Sequence, residues 1–587
     1  MRRILLTVFF PLSVCAAKLH YDVHFYGVTD PALLKAMQDS SELVQMQERP
    51  PATINGLHYR AKSDMSNLLK TLKAFAYYDS ELFYEIRPEG NQLQVDIFTY
   101  MGPLFRLRTY DVVHADCTKP LSLSRCLFCL EDLGLEIGQG ADSTSIVRAE
   151  TAVLNELARC GYPLAYIDKR RVLVDMTDAE VDVAVCVQEG PLAKFGPSSL
   201  FGLKSVDPRF IERKIAWREG EVFDLDLVDK TQERLLKSDL FSSVIVSHAE
   251  ELDDEGELPM KLRLAESKHR TLSLGVFYAT VDGPGGSLSW TNRNLRGMGE
   301  QLSIDAEGSV RFVGGTILYR KPDFLRYDQT FSMQGEVSRE NIQPYLAFTY
   351  GESNFLERRF DEARTFTVGL TGEYISVHKS ANNGNFFLLG LPMTWKYDGS
   401  NSPMDPTKGT LFSYSATPYQ SLQNGHVHFV KQRLVINFYF PLMENRRVVL
   451  ALHTEFGSIA GTRQNEVPLP KLFLGGSQDD LRGYTYKTVS PLNKRGDPLG
   501  GRSAILTSVE LRLRITETIG LVPFADFGTV TLQEWPQVNA KWYKSVGGGL
   551  RYYTFFGPLR LDVGFPLDPR EGIDTWGKVY ASIGQCF

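Results

Sequence analysis

The sequence has no apolar run of about 18 residues beyond its N-terminus, which excludes a bundle of transmembrane helices. Its mean hydropathy is −0.18. A basic excess is also missing, because 64 Lys and Arg stand against 70 Asp and Glu, for a net charge of −6. This balance excludes the electrostatic pattern of a general nucleic-acid binder. One membrane class stays open, the β-barrel, because lipid-facing and polar residues alternate along its strands and average out.

Known catalytic motifs are missing as well. There is no G-x-S-x-G elbow, P-loop or H-E-x-x-H segment, and the 10 His residues are scattered. Gly547–Gly549 lies in a strand-rich stretch with no helix after it, which argues against a phosphate cradle. We therefore expect no enzyme, no catalytic residue, no cofactor and no metal.

Seven cysteines are present, and five of them crowd one segment. Cys126 and Cys129 have the spacing of half a zinc site, but no second pair and no His at ligand spacing accompanies them. Disulfides or buried thiols are therefore favoured. Spacing leaves the connectivity open among Cys117, Cys126, Cys129, Cys160 and Cys186.

The N-terminus has the layout of a secretory signal peptide. Arg2 and Arg3 precede a short apolar stretch from Ile4 to Val14, and small residues follow it. This stretch is too short to anchor the chain in a bilayer. We expect residues 1–17 to be removed on export from the cytoplasm; the alternative is a hydrophobic first strand.

Three segments before residue 267 share one order of signals. Each has an apolar stripe at helical spacing, followed by a strand with alternating polarity. The first two close on Gly-Pro-Leu, with Gly102 and Gly190 lying 88 residues apart. We expect three small α+β domains, at residues 18–102, 103–191 and 192–266. Such domains can accept an extended peptide at a sheet edge; the alternative is that they are only spacers.

Residues 267–587 alternate between apolar and polar side chains over segments of strand length. From Ile505 to Ile515, apolar residues occupy one face, and Ser508, Glu510 and Arg512 occupy the other. Segments of about ten residues with aromatic ends are typical of tilted transmembrane strands. At about 20 residues for each strand with its turn, the region holds roughly 16 antiparallel strands. The alternative is a soluble β-sandwich.

The chain ends on an aromatic residue inside an alternating segment, Lys578–Phe587. We expect this segment to be the last strand and residues 271–279 to be the first, so that the two meet at a lateral seam. Glycine weakens a strand, and Gly275 and Gly584 therefore predict weak pairing there. Gly275, Gly584 and Phe587 are the predicted seam residues.

One motif between the strands points to a family. The residues that carry it are Gly475, Gly476, Leu481, Arg482, Gly483 and Tyr484. They resemble the [V/I/L]-R-G-[F/Y] loop signature of the outer-membrane protein assembly and translocation barrel family (BamA/TamA-type). Further elements occur in the family's order, among them Met404–Gly409, Ser508–Arg512, Pro523–Gly528 and Ser545–Arg551.

The resemblance implies POTRA-like domains for the three front segments and a transmembrane barrel for residues 267–587, an arrangement similar to the TamA branch. It also implies that Arg482 lies on a long extracellular loop folded into the lumen. A guanidinium there needs carboxylate partners, and the resemblance makes Glu510 and Asp526 the candidates. Gly483 permits the turn that this loop requires, and Tyr484 packs across it.

The function implied is insertion or translocation of β-barrel proteins, such as autotransporters, at the outer membrane of a Gram-negative cell. The POTRA-like domains would lie in the periplasm, and the seam would open sideways. The expected partners are the outer-membrane bilayer, unfolded clients and an inner-membrane-anchored TamB-like protein, with no nucleic acid. Two alternatives are a two-partner-secretion-type pore for one exoprotein and a passive porin.

Overall fold

The computed structural model describes residues 19–89, 92–123, 128–279, 283–380, 382–422, 427–555 and 557–587. The predicted signal peptide and Cys126 lie outside these residues. The chain forms two compact units. One contains the chain up to Phe201 with Ile215–Arg234 and Ile245–Arg263, and the other contains Gly202–Lys214, Leu235–Val244 and Leu264–Phe587. Within the described ranges, no helix is long and apolar enough to cross a membrane.

The first repeat is a three-stranded sheet packed against helices. Its elements are β1 (Tyr21–Tyr26), α1 (Pro31–Ser40), α2 (Glu42–Gln45), α3 (Ile54–Ala74), β2 (Glu81–Glu89) and β3 (Gln92–Tyr100). β3 is central, parallel to β1 and antiparallel to β2. The Thr53 side chain caps α3 by accepting from the backbone N–H of Gly56. The helix buries Leu68 and Leu72, two apolar residues at the helical spacing expected for this segment.

The second and third repeats have the same central-strand arrangement. Their sheet orders are β4-β6-β5 and β7-β9-β8. The elements are β4 (Arg106–His114), α4 (Ser143–Arg159), β5 (Tyr166–Asp175), β6 (Glu180–Gln188), β7 (Lys194–Phe201), α5 (Pro208–Lys214), α6 (Leu225–Leu236), β8 (Phe241–His248) and β9 (Glu257–Glu266). Each sheet lies inside one of the three predicted segments; the segment boundaries stay a prediction.

A disulfide joins Cys117, after β4, to Cys186 on β6. The bridge closes a loop of 69 residues, and loop entropy gives it a stabilisation of about 4 kcal/mol. Cys129 is an exposed free thiol. Across the described part of the chain, no group of three or more His, Cys, Asp or Glu side chains could hold a metal.

Glu266, the last residue of β9, holds the segment that follows β7. Its carboxylate accepts the backbone N–H groups of Lys204, Ser205 and Val206 and the Ser205 hydroxyl, at 2.7 to 3.1 Å. Burial alone would raise the pKa of Glu266. The hydrogen bonds, led by the one from Lys204, outweigh this effect and lower the pKa from the ordinary value of 4.5 to about 2. The carboxylate therefore stabilises this junction in its charged form.

This junction predicts a pH dependence of stability. The pKa of Glu266 in the folded state lies below the ordinary value of 4.5. Its contribution to the free energy of unfolding is therefore complete above pH 4.5 and is lost as the pH falls toward 2. Thermal unfolding across this range should show a smaller acid-induced loss for Glu266→Gln than for wild type. Glu255→Gln, at an exposed position, is the control, and equal pH profiles for the two variants would contradict the assignment.

In the described residues after β9, one antiparallel sheet contains 17 strand segments in sequence order. They are β10 (Arg270–Ala279), β11 (Gly283–Asn292), β12 (Gln301–Ser309), β13 (Phe312–Lys321), β14 (Gln329–Ile342), β15 (Tyr345–Arg359), β16 (Arg364–His378), β17 (Gly384–Gly390), β18 (Met393–Asp398), β19 (Gly409–Ser421), β20 (His428–Pro441), β21 (Val448–Ala460), β22 (Ser503–Arg514), β23 (Ile519–Thr531), β24 (Tyr543–Thr554), β25 (Gly557–Pro566) and β26 (Lys578–Ile583).

β17 and β18 are two parts of one strand. Both pair with β16 on one side and with β19 on the other. Pro392, which has no N–H to donate to a ladder, lies between them. If β17 and β18 are counted as one strand, the 17 segments make 16 strands of the barrel wall. The predicted number of strands is confirmed.

The first and last strands of the sheet approach each other, and in the described residues no ladder joins them. The outward side chains of β10 are exposed: 78% of Leu274 and 95% of Val276 is accessible. We call the meeting of β10 and β26 the seam. An edge of this kind presents unpaired backbone groups.

The prediction that the last strand runs to Phe587 is wrong. β26 ends at Ile583, and Gly584 adopts a φ of +91°. Continued alternation would turn the Gln585 amide to the same outer face as Ile583, where hydrocarbon offers no hydrogen bonds. Instead, its side chain donates to Asp405 at 2.9 Å and accepts from Arg551 at 2.8 Å.

Candidate functional site

The loop between β21 and β22, residues 461–502, folds into the barrel interior. Its apolar side chains share one buried core with inward-facing residues of the wall. From the loop these are Val467, Leu469, Leu472, Phe473, Leu481, Tyr484 and Val489, and from the wall they include Tyr345, Ala347, Ile375 and Val377. Short backbone bridges, such as the one between Gly475 and Val489, hold the loop against itself. The loop thus fills part of the lumen.

Arg482 lies at the centre of this arrangement and is completely buried. Its Nε and Nη2 bind the two oxygens of Asp526 at 2.9 and 2.7 Å, and its backbone N–H donates to the same carboxylate at 2.9 Å. Nη1 donates to Glu510 at 2.7 Å. The structure therefore places both predicted carboxylates on Arg482. The guanidinium carbon also lies 3.4 Å from the centre of the Phe524 ring.

A third carboxylate, Asp562 on β25, completes the site. It accepts from Arg482 Nη1 at 3.1 Å and also binds Arg551. Glu510 accepts from Arg512 at 3.0 Å. Arginines and carboxylates thus alternate, and each buried charge has an opposite neighbour, which is the condition for keeping ions out of water.

Glycines bring the loop tip against the wall. Gly483 has a φ of +99°, and a Cβ there would lie 2.8 Å from the backbone of Gly564. A Cβ on Gly564 would in turn lie 2.8 Å from the Arg482 carbonyl carbon. Gly476, with a φ of +96°, has the Thr485 oxygen 2.6 Å from the position of a Cβ. Only glycine permits these close approaches without a shift of the backbone.

The other residues of the predicted motif support the tip. Leu481 is buried in the loop core with a φ of +42°. The Tyr484 hydroxyl donates to the Lys544 carbonyl at 2.9 Å, and its ring meets that of Tyr543 edge-on. The Gly483 N–H donates to the Tyr580 hydroxyl on β26 at 2.9 Å. The loop tip is therefore tied to the last strand.

Two chains of hydrogen bonds connect this site to the C-terminus. In one, Arg512 contacts Glu510 and donates to the Phe587 carbonyl at 2.8 Å. In the other, Arg551 contacts Asp562 and the Gln585 side chain, which reaches Asp405 in the turn before β19. The loop and the chain end therefore share one polar network.

The structure separates the three predicted seam residues. Gly275 lies within β10, and Gly584 follows the last residue of β26. Phe587 packs in the interior, where its ring centre lies 5.1 Å from that of His453. Gly275 thus belongs to a strand of the seam and Gly584 lies just beyond the other strand, whereas Phe587 belongs to the polar network.

Sequence reasoning missed Asp562, Arg551 and Gly564. A signal for Asp562 was present, because it alternates with Leu561 and Val563 and so falls on the polar face with Arg560. Alternation gives the face of a strand but not the strand's distance from the loop tip. The contact with Arg482 spans 80 residues.

Comparisons with known proteins agree with this architecture. The Omp85 superfamily domain matches residues 294–587. The outer membrane protein assembly factor BamA of Nitratidesulfovibrio vulgaris is 25% identical over 443 residues, which make up 73% of this chain and 55% of that protein. The chain therefore spans little more than half of that relative. The crystal structure of BamA from Haemophilus ducreyi lacking POTRA domains 1–3 has a TM-score of 0.66 at 18% identity, covering 79% of this chain and 99% of that chain.

The predicted fold class is confirmed, with α+β repeats followed by an antiparallel barrel. The predicted location is confirmed with it: the barrel lies in the outer membrane and the repeats lie in the periplasm. β10 starts directly after the repeats, so the turns at that end of the barrel are periplasmic. The loop of residues 461–502 lies at the other end and enters the barrel from the extracellular side. The domain match covers half of the chain, and the chain belongs to the Omp85 superfamily.

Proposed function

We propose that this chain is a non-enzymatic outer-membrane insertase or translocase that adds client strands at its seam. The open edge of β10 supports this most directly, because no ladder covers it in the described residues and its outward side chains are exposed. An extended client strand can pair with such an edge through backbone hydrogen bonds. The relative from N. vulgaris is named an assembly factor, which supports the same role.

The filled interior favours this role over passive diffusion. A porin needs an open aqueous channel, whereas here a loop packs against the inner wall and its arginine is completely buried. We propose that the motif from Gly475 to Tyr484 with Glu510 and Asp526 locks this loop. The lock would hold the wall strands β22, β23 and β25 in register while the seam opens.

The periplasmic repeats offer further strand edges. β2, β5 and β8 lie at the edges of their sheets, and each exposes large apolar side chains, such as Phe83, Tyr166 and Ile245 at 54 to 60%. We propose that unfolded clients pair with these edges on their way to the barrel. Autotransporters are the proposed clients, and a TamB-like protein is the proposed inner-membrane partner.

Reconstitution into liposomes tests this function. We expect the full chain to accelerate the folding of a urea-unfolded β-barrel client, measured by protection from protease. Deletion of residues 18–266 should abolish the acceleration while the barrel still forms. Acceleration of one client only would indicate a dedicated secretion pore. Steady ion conductance that survives the deletion, without client folding, would indicate a porin and refute the proposal.

A further inference from the structure

The turn between β13 and β14, residues 322–328, borders a cavity of about 540 Å³ at the periplasmic end of the barrel wall. Three basic side chains line it: Arg213 from α5, Lys321 at the end of β13, and Arg326 in the turn. A cavity of this size suits a small ligand or the headgroup of a lipid. Neither the loop site nor the seam uses any of these residues.

None of the three cations forms an ion pair in the part of the chain that the structure describes, although Arg213, in addition to Arg209, is near enough to Asp207 to lower the pKa of that carboxyl. One carboxylate, Asp323, also lines the cavity, but it is paired with the neighbouring Lys214 at 2.7 Å. Asp207, the acidic residue whose pKa Arg209 and Arg213 lower, accepts a hydrogen bond from the Arg209 side chain. The cavity therefore presents a net positive charge, and its ligand should be an anion.

The cavity lies at the edge of the lipid-facing surface. Ile317 and Lys321 share the outer face of β13, and 55% of Ile317 is exposed. Lys321 is paired in register with Phe331, whose ring centre lies 5.3 Å from that of Phe324. Aromatic residues of this kind mark the boundary between hydrocarbon and headgroups. Lys321 therefore lies at the depth expected for lipid phosphates, and Arg213 and Arg326 line the same cavity.

An exposed apolar side chain stands beside these charges. Leu325 lies in the same turn and is 81% exposed, although it lines the cavity together with Phe324. An apolar residue next to basic ones at a membrane surface is the combination that binds an acyl chain and its anionic headgroup together. A soluble phosphate would use the cations and leave Leu325 in water.

We propose that this cavity binds the phosphate of an anionic phospholipid in the periplasmic leaflet, with the first part of an acyl chain against Leu325. Arg213 belongs to α5, and Lys321 and Arg326 belong to the barrel. A lipid held by all three would link α5 to the membrane beside the barrel wall. This site does not depend on the proposed insertase activity.

Native mass spectrometry of the full chain, released from bilayers containing phosphatidylglycerol, tests the site. We expect retained phosphatidylglycerol on the wild type and about a tenfold or greater loss in Arg213→Gln/Lys321→Gln/Arg326→Gln. The matched control, Lys408→Gln/Arg446→Gln/Arg447→Gln, removes three cations from other periplasmic turns and should retain the lipid. Heat-modifiable migration in gels confirms that both variants form the barrel.

Two further arms distinguish the source of the phosphate. Retention that survives millimolar inorganic phosphate and falls on Leu325→Ser supports a lipid. Displacement by inorganic phosphate, with no effect of Leu325→Ser, would assign the cavity to a soluble phosphate and overturn the lipid proposal. Equal retention by the two triple variants would overturn the site itself.

Discussion

Arg482→Ala will release the interior loop and abolish client folding. The substitution leaves Glu510, Asp526 and Asp562 buried beside an empty space, and each loses a hydrogen bond from Arg482. Removing one partner of a buried ionic group costs about 3 to 5 kcal/mol, which weakens the attachment of the loop tip to the barrel wall. Limited proteolysis of the chain in liposomes should show new cleavage within residues 461–502, and client folding should fall to the level of empty liposomes.

Arg495→Ala is the matched control for this experiment. Arg495 lies in the same loop and is exposed, so its loss should change neither cleavage nor client folding. Arg482→Lys keeps the charge but loses the planar two-point contact with Asp526 and should have an intermediate effect. If Arg482→Ala and Arg495→Ala give the same cleavage pattern and the same activity, the loop is not held by Arg482.

Locking the seam should also abolish client folding. Cysteines at Leu274 on β10 and at Val579, Ala581 or Ile583 on β26 sample the possible registers, and all four side chains are on the outer face. A disulfide between the two strands removes the open edge that a client strand needs. We expect the oxidised pair that forms most completely to be inactive and to recover on mild reduction.

A cysteine pair within a formed ladder controls for the disulfide itself. Leu288 and Ala306 are paired in register on β11 and β12, so their cross-link should leave client folding unchanged. Both variants contain the native bridge between Cys117 and Cys186, so any effect of the reductant on that bridge is shared. Full activity of the oxidised seam pair would exclude a lateral opening.

Much of the barrel could be predicted because its signal is local. Side chains alternate with a period of two along every strand, so segments such as Ile505–Ile515 show their two faces without knowledge of the partner strand. The strand number followed from the length of the region. The interruption at Pro392 did not change the number of crossings, because β17 and β18 continue in line.

The end of the chain could not be predicted in the same way. Alternation favoured a strand to Phe587, but the partners of the last residues are distant in sequence. Gln585 binds Asp405, 180 residues earlier, and the Phe587 carbonyl binds Arg512. A local pattern contains no information on such contacts. The hydrogen bonds that the partly buried Gln585 amide makes with Arg551 and Asp405 outweigh the pairing of a few more strand residues.

The sequence by itself determined the order of modules, the alternating wall and the loop motif, because each depends on residues close together in the chain. Only the tertiary structure decided that Asp562 joins the predicted carboxylates Glu510 and Asp526 around Arg482, and that Cys117 pairs with Cys186. It also decided that the last residues turn inward and that, among the described residues, no ladder joins β10 to β26. The physical reason is that buried charges and amides are stable only beside specific partners, and the register of distant strands sets which partners are near.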